Sequence, residues 1–172
     1  RFTLVFKAMD VRNSPMLLIA VLFLGTVHIT STRVLDPCDI ARELYQHGIP
    51  RHQLNDWVCL VMSESSGKTD AVNEYNTDGS KDYGLFQIND RYWCGPGNAC
   101  GVACSELLKD NIKKAVDCAR KIYNEGTNQF GEKLYFASWE GWKKKCQGRH
   151  LEDRTKCLNQ PSCNCGRNSS FR

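Results

Sequence analysis

Several large protein classes are excluded by what this sequence lacks. A membrane-spanning helix needs about 20 consecutive apolar residues, and the apolar run Leu17 to Gly25 is less than half as long. Paired Cys-x-x-Cys knuckles are missing, and no histidine stands near Cys94, Cys100 and Cys104. That argues against a zinc site at this cysteine cluster. An excess of charge of one sign is missing too, with 23 Lys and Arg against 19 Asp and Glu in 172 residues. Without residues 1–32 the balance is 20 against 18, a net of +2. So small a net charge predicts neither nucleic-acid binding nor stable membrane association. No internal repeat is visible, which sets aside repeat architectures.

The N-terminal region is patterned for export. Arg12 precedes the Leu17 to Gly25 run, and Thr30, Ser31 and Thr32 follow it. A basic start, a short apolar core and small residues read as a secretory signal peptide. Cleavage is expected after Thr32, with residues 1–32 as leader; the sequence opens on Arg1, and Met9 and Met16 are candidate starts. All ten cysteines lie beyond this point: Cys38, Cys59, Cys94, Cys100, Cys104, Cys118, Cys146, Cys157, Cys163 and Cys165. An even count behind a signal peptide implies disulfides and a secreted, extracellular product.

The remaining 140 residues suit one domain with a modest core. Asp36-Pro37 supplies an N-cap and a first-turn proline, Ile40, Ala41, Leu44 and Tyr45 recur at helical spacing, and Gly48 stops the segment. A second helix is expected from about Leu54 to Ser65, with Leu54, Trp57, Val58, Val61 and Met62 as its stripe and Gly67 as its end. Asp78-Gly79 is a hairpin turn pair, and Tyr83 to Asn89 is rich in strand-favouring residues. A compact loop spans Arg91 to Cys104. Asp110 is the expected cap of a helix with Ile112, Ala115, Val116, Ala119, Ile122 and Tyr123 on one face. A last short helix would carry Trp139, Trp142 and Cys146 on one side and Lys143, Lys144 and Lys145 in solvent. Residues 158–172 are polar and aperiodic, and read as a flexible tail. The fold class expected is α+β: helices beside a small antiparallel sheet, with a cleft between.

Two carboxylates organise the candidate chemistry. Glu64 closes the second helix, and Asp82 begins the strand after the Asp78-Gly79 turn. A helix end facing a hairpin across a groove gives the two groups different surroundings. One can sit among apolar side chains and keep its proton, while the other stays ionised in a polar sheet. Such a pair suits hydrolysis of a glycosidic bond.

Trp57-Val58-Cys59, Glu64-Ser65, Asn76-Thr77-Asp78-Gly79-Ser80, Asp82-Tyr83-Gly84, Gln87-Ile88-Asn89 and Trp93-Cys94 occur in the order and spacing of a known family. On these motifs the chain from Arg33 to Cys157 resembles the c-type (chicken-type) lysozymes, the arthropod branch in particular. The resemblance implies a disulfide-stabilised, lysozyme-like catalytic domain over 33–157. It implies a retaining 1,4-β-N-acetylmuramidase, a bacteriolytic enzyme with an antimicrobial or digestive role. Its substrate would be bacterial peptidoglycan, with chitin oligomers as further candidates. Glu64 matches the general acid, Asp82 the carboxylate that stabilises or captures the oxocarbenium-like centre, and Trp139 the tryptophan that walls the acid in. Asn76, Gln87 and Asn89 match polar cleft residues, Trp93 a sugar-binding aromatic, and Tyr92 stands where vertebrate members often carry another tryptophan. The family's bridges translate to Cys38–Cys157, Cys59–Cys146, Cys94–Cys104 and Cys100–Cys118. The rival reading is a non-catalytic carbohydrate-binding or regulatory relative.

The sequence departs from the family pattern in three places. The Cys94 to Cys100 loop is short, Cys118 to Trp139 is long with extra residues around Thr127 to Lys133, and Cys163 and Cys165 have no counterpart. In the family fold the long segment lies beside the distal end of the cleft. A monomer is expected unless Cys163 or Cys165 forms an interchain bridge. Lysines flank Asp110 where some members hold calcium, so no metal and no cofactor are expected. Asn168-Ser169-Ser170 is a glycosylation sequon.

Overall fold

The computed structural model describes residues 33–159. The leader, the remainder of the tail, Cys163, Cys165 and the Asn168 sequon lie outside the described residues.

Helix α1, Pro37–Gln46, starts where its cap dictates: the Asp36 carboxylate accepts from the backbone N–H groups of Cys38 and Asp39 at 2.8 and 2.9 Å. It buries Ile40, Ala41 and Leu44. Helix α2, Leu54–Glu64, buries Leu54, Trp57, Val58, Leu60 and Val61. Leu60 lies off the expected stripe, so this helix is covered on more than one side. α2 packs against α1 and against α4, Glu140–Lys145. Helix α3, Lys113–Glu125, buries Ala115, Val116, Cys118, Ala119 and Ile122. Short 3₁₀ turns at Arg51–Gln53, Cys104–Leu108, Tyr135–Ser138 and Arg154–Asn159 complete the helical part. The last of these runs past Cys157, and Leu158 packs against the core.

The sheet is small. Strands β1 (Val72–Asn73), β2 (Asp82–Tyr83) and β3 (Ile88–Asn89) pair antiparallel in the order β1-β2-β3. Their register sets Asn73 opposite Asp82, and Asp82 opposite Asn89. Directly opposed residues of antiparallel strands share a face, so the pairing lines up Asn73, Asp82 and Asn89 in one row.

All four expected bridges are present: Cys38–Cys157, Cys59–Cys146, Cys94–Cys104 and Cys100–Cys118. Cys94, Cys100 and Cys104 are therefore bridge partners. The first bridge closes a separation of 119 residues, worth on the order of 4–5 kcal/mol in the chain-entropy picture. The second ties α2 to the end of α4.

Three local expectations need correction. Asp110 does not cap α3, because its carboxylate faces the other way, toward the Thr69 hydroxyl (3.3 Å) and the Arg33 guanidinium (3.7 Å). The residue before the helix is the buried Ile112, and the Asn111 side chain accepts from Lys113 N–H at 3.1 Å. Asp78-Gly79 sits within a longer loop between β1 and β2, where Gly79 N–H bonds Asn76 C=O at 3.0 Å. Tyr83 to Asn89 is not one strand, because a turn from Gly84 to Gln87 divides it, closed by Gln87 N–H to Gly84 C=O at 3.0 Å.

That second turn depends on Gly84. Its φ is +72°, and an added Cβ would fall 2.2 Å from the Leu107 carbonyl oxygen. Gly79 shares the left-handed backbone, with φ +79°, but a Cβ there would meet nothing within 4 Å. Both Gly→Ala changes strain φ, and only Gly84→Ala adds a backbone collision. Gly84→Ala should cost at least about 1–2 kcal/mol more than Gly79→Ala in urea unfolding. Equal losses would show that the approach of Leu107 to the sheet is not tight.

Candidate active site

On α2 the residues Trp57, Val61 and Glu64 are spaced four and three apart, which puts them on one helical face. Trp57 and Val61 are core residues. Glu64 therefore carries its carboxyl at the end of an apolar stripe, where the helix leaves the core for the cleft. Its pKa is raised above the ordinary 4.5, first by burial, with the nearby negative charge of Asp82 adding to the effect. Two influences oppose the shift: the backbone N–H of Gly141, on α4, donates to Glu64 Oε1 at 3.0 Å, and the positive charge of Lys145 favours the ionised form.

Asp82 stands in different surroundings. Asn76 Nδ2 and Asn73 Nδ2 donate to its Oδ2 at 2.9 and 3.3 Å, and Asn89 Nδ2 donates to its Oδ1 at 2.8 Å. Two of the three donors come from the row set by strand register. The network continues through the nearly buried Ser80, whose hydroxyl accepts from Asn76 (3.2 Å) and Asn89 (2.8 Å) and donates to Asp78 at 2.6 Å. Three amide donors on one carboxyl match the acceptor-only character of a carboxylate. They hold its oxygens in fixed positions.

Glu64 and Asp82 line one cleft of about 280 Å³, together with Asn76, Gln87, Ile88, Asn89, Trp93, Ile122, Ser138, Trp139 and Glu140. Of the residues expected from sequence, Glu64, Asp82, Asn76, Gln87, Asn89, Trp93 and Trp139 meet here. Tyr92 does not line the cleft and is 60% exposed. Gln87 reaches the cleft while its amide donates to the carbonyls of Gly84 (2.9 Å) and Ala71 (3.2 Å), which makes it a scaffold residue as well. Trp139 is 5% exposed; its indole N–H donates to the Phe86 carbonyl at 3.0 Å and its ring packs on Trp57 at 6.0 Å. It serves as the apolar back wall.

Asn73, Ser80 and Gly141 escaped sequence reasoning as site residues. Asn73 enters through strand register, and Gly141 through the docking of α4. Ser80 had a local signal, since it follows the Asp78-Gly79 turn. The extra residues after α3 form a small ordered turn, with Thr127 bridged to Lys133 and Phe130 exposed. The Asn128 side chain organises it by accepting from the backbone N–H groups of Phe130 and Glu132 at 2.9 and 3.0 Å. Ile122 and Ser138, on either side of this turn in sequence, both line the cleft.

A larger hollow of about 480 Å³ lies between residues 100–106 and α3. Each of its charges has an ion-pair partner: Lys114 with Glu106 at 2.5 Å, Asp117 with Lys113 at 2.6 Å and Lys121 with Glu125 at 2.6 Å. The Glu106 carboxyl, hydrogen-bonded to Lys109 and Lys114, is pulled down to about 2. The opposed carboxyl groups are in the smaller cleft, and the chemistry is assigned there.

The profile of the C-type lysozyme/alpha-lactalbumin family matches residues 33–157. Lysozyme from Bombyx mori is 46% identical over 143 residues, covering 81% of this chain and 94% of that protein. Lysozyme from Galleria mellonella is 44% identical over 124 residues, covering 70% and 96%. Lysozyme c-1 from Anopheles gambiae is 39% identical over 133 residues, covering 76% and 89%. With its four bridges, its three-stranded sheet and its two carboxyl groups across one cleft, this chain belongs to the C-type lysozyme/alpha-lactalbumin family.

Proposed function

We propose that this protein is a secreted lysozyme, a retaining glycoside hydrolase that cleaves the β-1,4 bond between N-acetylmuramic acid and N-acetylglucosamine in bacterial peptidoglycan. One observation carries the reading: two carboxyl groups of opposite environment line the same cleft, one desolvated and one held by amide donors. A purely carbohydrate-binding relative has no need of a partly desolvated acid beside a second carboxyl group.

Glu64 is the general acid. Burial raises its pKa above the ordinary 4.5 and so favours the protonated form, which protonates the glycosidic oxygen as the C–O bond breaks. Positive charge then develops at the anomeric carbon, and Asp82 stabilises or covalently captures that centre. The amides of Asn73, Asn76 and Asn89 keep the attacking oxygens from turning away. Water enters from the face the leaving sugar vacated, gives its proton to Glu64 and restores both groups, with retention of configuration. Asn76, Gln87 and Asn89 orient sugar and carboxylate, and Trp93 offers an apolar face to a sugar ring. Chitin oligomers share the β-1,4 linkage and are a second substrate. The enzyme acts outside the cell as a monomer, where the four disulfides persist, in bacteriolysis for defence or digestion.

Two variants test the assignment and should move stability in opposite directions. Glu64→Gln should lose about 10²–10⁴-fold in the clearing of bacterial walls. Its effect on stability follows from the raised pKa. The stabilising share of Glu64 is complete below the ordinary 4.5 and is lost as pH rises through the higher folded value. Gln cannot ionise, so the variant should melt above wild type at pH 7, and the gap should close below about pH 4. Lysis at the wild-type rate would remove Glu64 from the chemistry. Asp82→Asn should also lose most activity, but it sets an amide N–H₂ against three amide donors. Unfolding should then come about 1–3 kcal/mol more easily. An active Asp82→Asn variant would end the role given to that carboxylate.

A further inference from the structure

A short hairpin stands where the chain passes from α3 to the segment before α4. Gly126 and Leu134 close its base, with Leu134 N–H donating to Gly126 C=O at 3.0 Å, and Thr127 pairs with Lys133 above them. The base is seated against the cleft wall. A Cβ built on Gly126 would fall 2.5 Å from Ser138 Oγ, and Ser138 and Ile122 both line the cleft. A hairpin of this length carries its tip roughly 10 Å beyond its base.

At the tip stands Phe130, 78% exposed. A lone exposed apolar side chain is ordinary, but turn tips favour Gly, Asn, Asp, Ser and Pro, and this one is held in place. Asn128 Oδ1 accepts from the backbone N–H groups of Phe130 and Glu132 at 2.9 and 3.0 Å, and Gly131 N–H donates to Asn128 C=O at 3.0 Å. Tyr45 has the Arg51 guanidinium over its ring and Tyr135 packs on Tyr123, whereas among the described residues no ring or guanidinium meets Phe130. The exposed rings of Tyr75 and Tyr92 adjoin Asn76 and Trp93 in sequence, and those two residues line the cleft. Exposed aromatic residues thus recur beside the cleft, and Phe130 is the one carried outward on a hairpin of its own.

We infer that Phe130 extends the glycan-binding surface beyond the cleft, its ring taking the C–H face of an uncharged N-acetylhexosamine unit of a chain already held between Glu64 and Asp82. The inference rests on the reading of the cleft as a glycan site. A sugar ring carries C–H groups on its face and polar groups around its edge, and a flat aromatic face complements the former. The neighbours of Phe130 select a neutral ring. Gln129 and Gly131 are uncharged, the Glu132 carboxyl accepts from Asn128 Nδ2 at 2.7 Å, and the Lys133 ammonium donates to Asn124 C=O at 2.8 Å. The charges nearest the tip are therefore engaged within the hairpin. Because the turn is already fixed, the contact costs little ordering of the protein. Only a glycan long enough to leave the cleft can reach it.

Phe130 lies outside the core, so Phe130→Ala should melt with wild type. Oligomers of N-acetylglucosamine separate the contact of the ring from those of the cleft. In the Glu64→Gln background, which leaves them uncut, Phe130→Ala should weaken hexamer binding about three- to tenfold in calorimetry and leave dimer binding unchanged. Phe130→Tyr, which keeps a flat ring, should bind the hexamer as wild type does, and Phe130→Leu, apolar but not flat, should not. In the active protein Phe130→Ala should raise KM for the hexamer by a similar factor with kcat nearly constant. NMR resonances of the Phe130 ring should move with the hexamer and stay fixed with the dimer. Unchanged hexamer affinity in Phe130→Ala would overturn the inference, and so would equal weakening of hexamer and dimer, which puts the effect inside the cleft. A protein that binds neither oligomer with Phe130 intact loses the glycan reading of the cleft and this inference with it. Hexamer binding indifferent to Phe130 removes this inference alone.

Discussion

Three of the segments around the cleft meet on the ring of Trp57. Phe86 meets it edge-on from the turn between β2 and β3, at 5.9 Å and 89°. Phe136 and Trp139 meet it from the segment leading into α4, at 5.0 and 6.0 Å. Tyr123 meets it from α3 at 5.5 Å. Trp57 itself lies two turns before Glu64 on α2. Edge-to-face aromatic pairs hold definite distances and angles, so this one buried ring fixes the sheet, α3 and the α4 segment relative to the helix that ends in Glu64. The Trp139 indole bond to Phe86 C=O then closes the back of the cleft, joining helical and sheet parts directly.

Around that anchor the protein gives two chemically similar groups opposite surroundings. Glu64 continues an apolar stripe and has one backbone donor. Asp82 lies in a polar row and has three amide donors, themselves cross-linked through Ser80. The difference comes from secondary structure. Helical periodicity takes residue 64 to the edge of the core, whereas antiparallel register puts an asparagine on each side of residue 82. Removing water from the first group disfavours its charge, whereas the oxygens of the second are met by amide donors.

What the sequence made legible follows from the range of the interactions concerned. The Asp36-Pro37 start, the stripes of α1 to α3 and the outward lysines of α4 are local matters of period and capping, and they stand in the structure except at Tyr45, which is exposed at the end of α1. The four bridges span separations of 10 to 119 residues. Cysteine spacing alone could not pair them, and the resemblance to a family did. Asp110 shows where local reasoning fails: it has a cap residue's chemistry, but Arg33 and Thr69, more than 40 residues away in sequence, claim its carboxylate. Gln87 shows another failure, since its φ of +48° belongs to a turn that β propensity cannot report. Asn73 and Gly141 were invisible for a third reason. Each acquires its role only when another element is laid against it.

The backbone itself is under most tension where the chemistry is. The described residues with positive φ other than glycine are Ser66, Gln87 and Tyr135. Ser66 follows Glu64 by two residues, Gln87 lines the cleft, and Tyr135 begins the turn that delivers Ser138 and Trp139 to it. Such conformations cost of order 1–3 kcal/mol each and persist only where the surroundings over-determine them. To them the fold adds a half-buried acid and a glycine inside a helix, both unfavourable for stability alone. The opposing contributions sit next to these features. Cys59–Cys146 ties the helix of Glu64 to the helix of Gly141, Cys94–Cys104 secures the chain just after β3, and Phe86 and Phe136, each next in sequence to Gln87 or Tyr135, pack on Trp57. Strain at the cleft and cross-links around it therefore belong to one arrangement. A domain of this size can hold two carboxyl groups in fixed and unlike environments because covalent bridges and a rigid aromatic core offset the cost of forming the site.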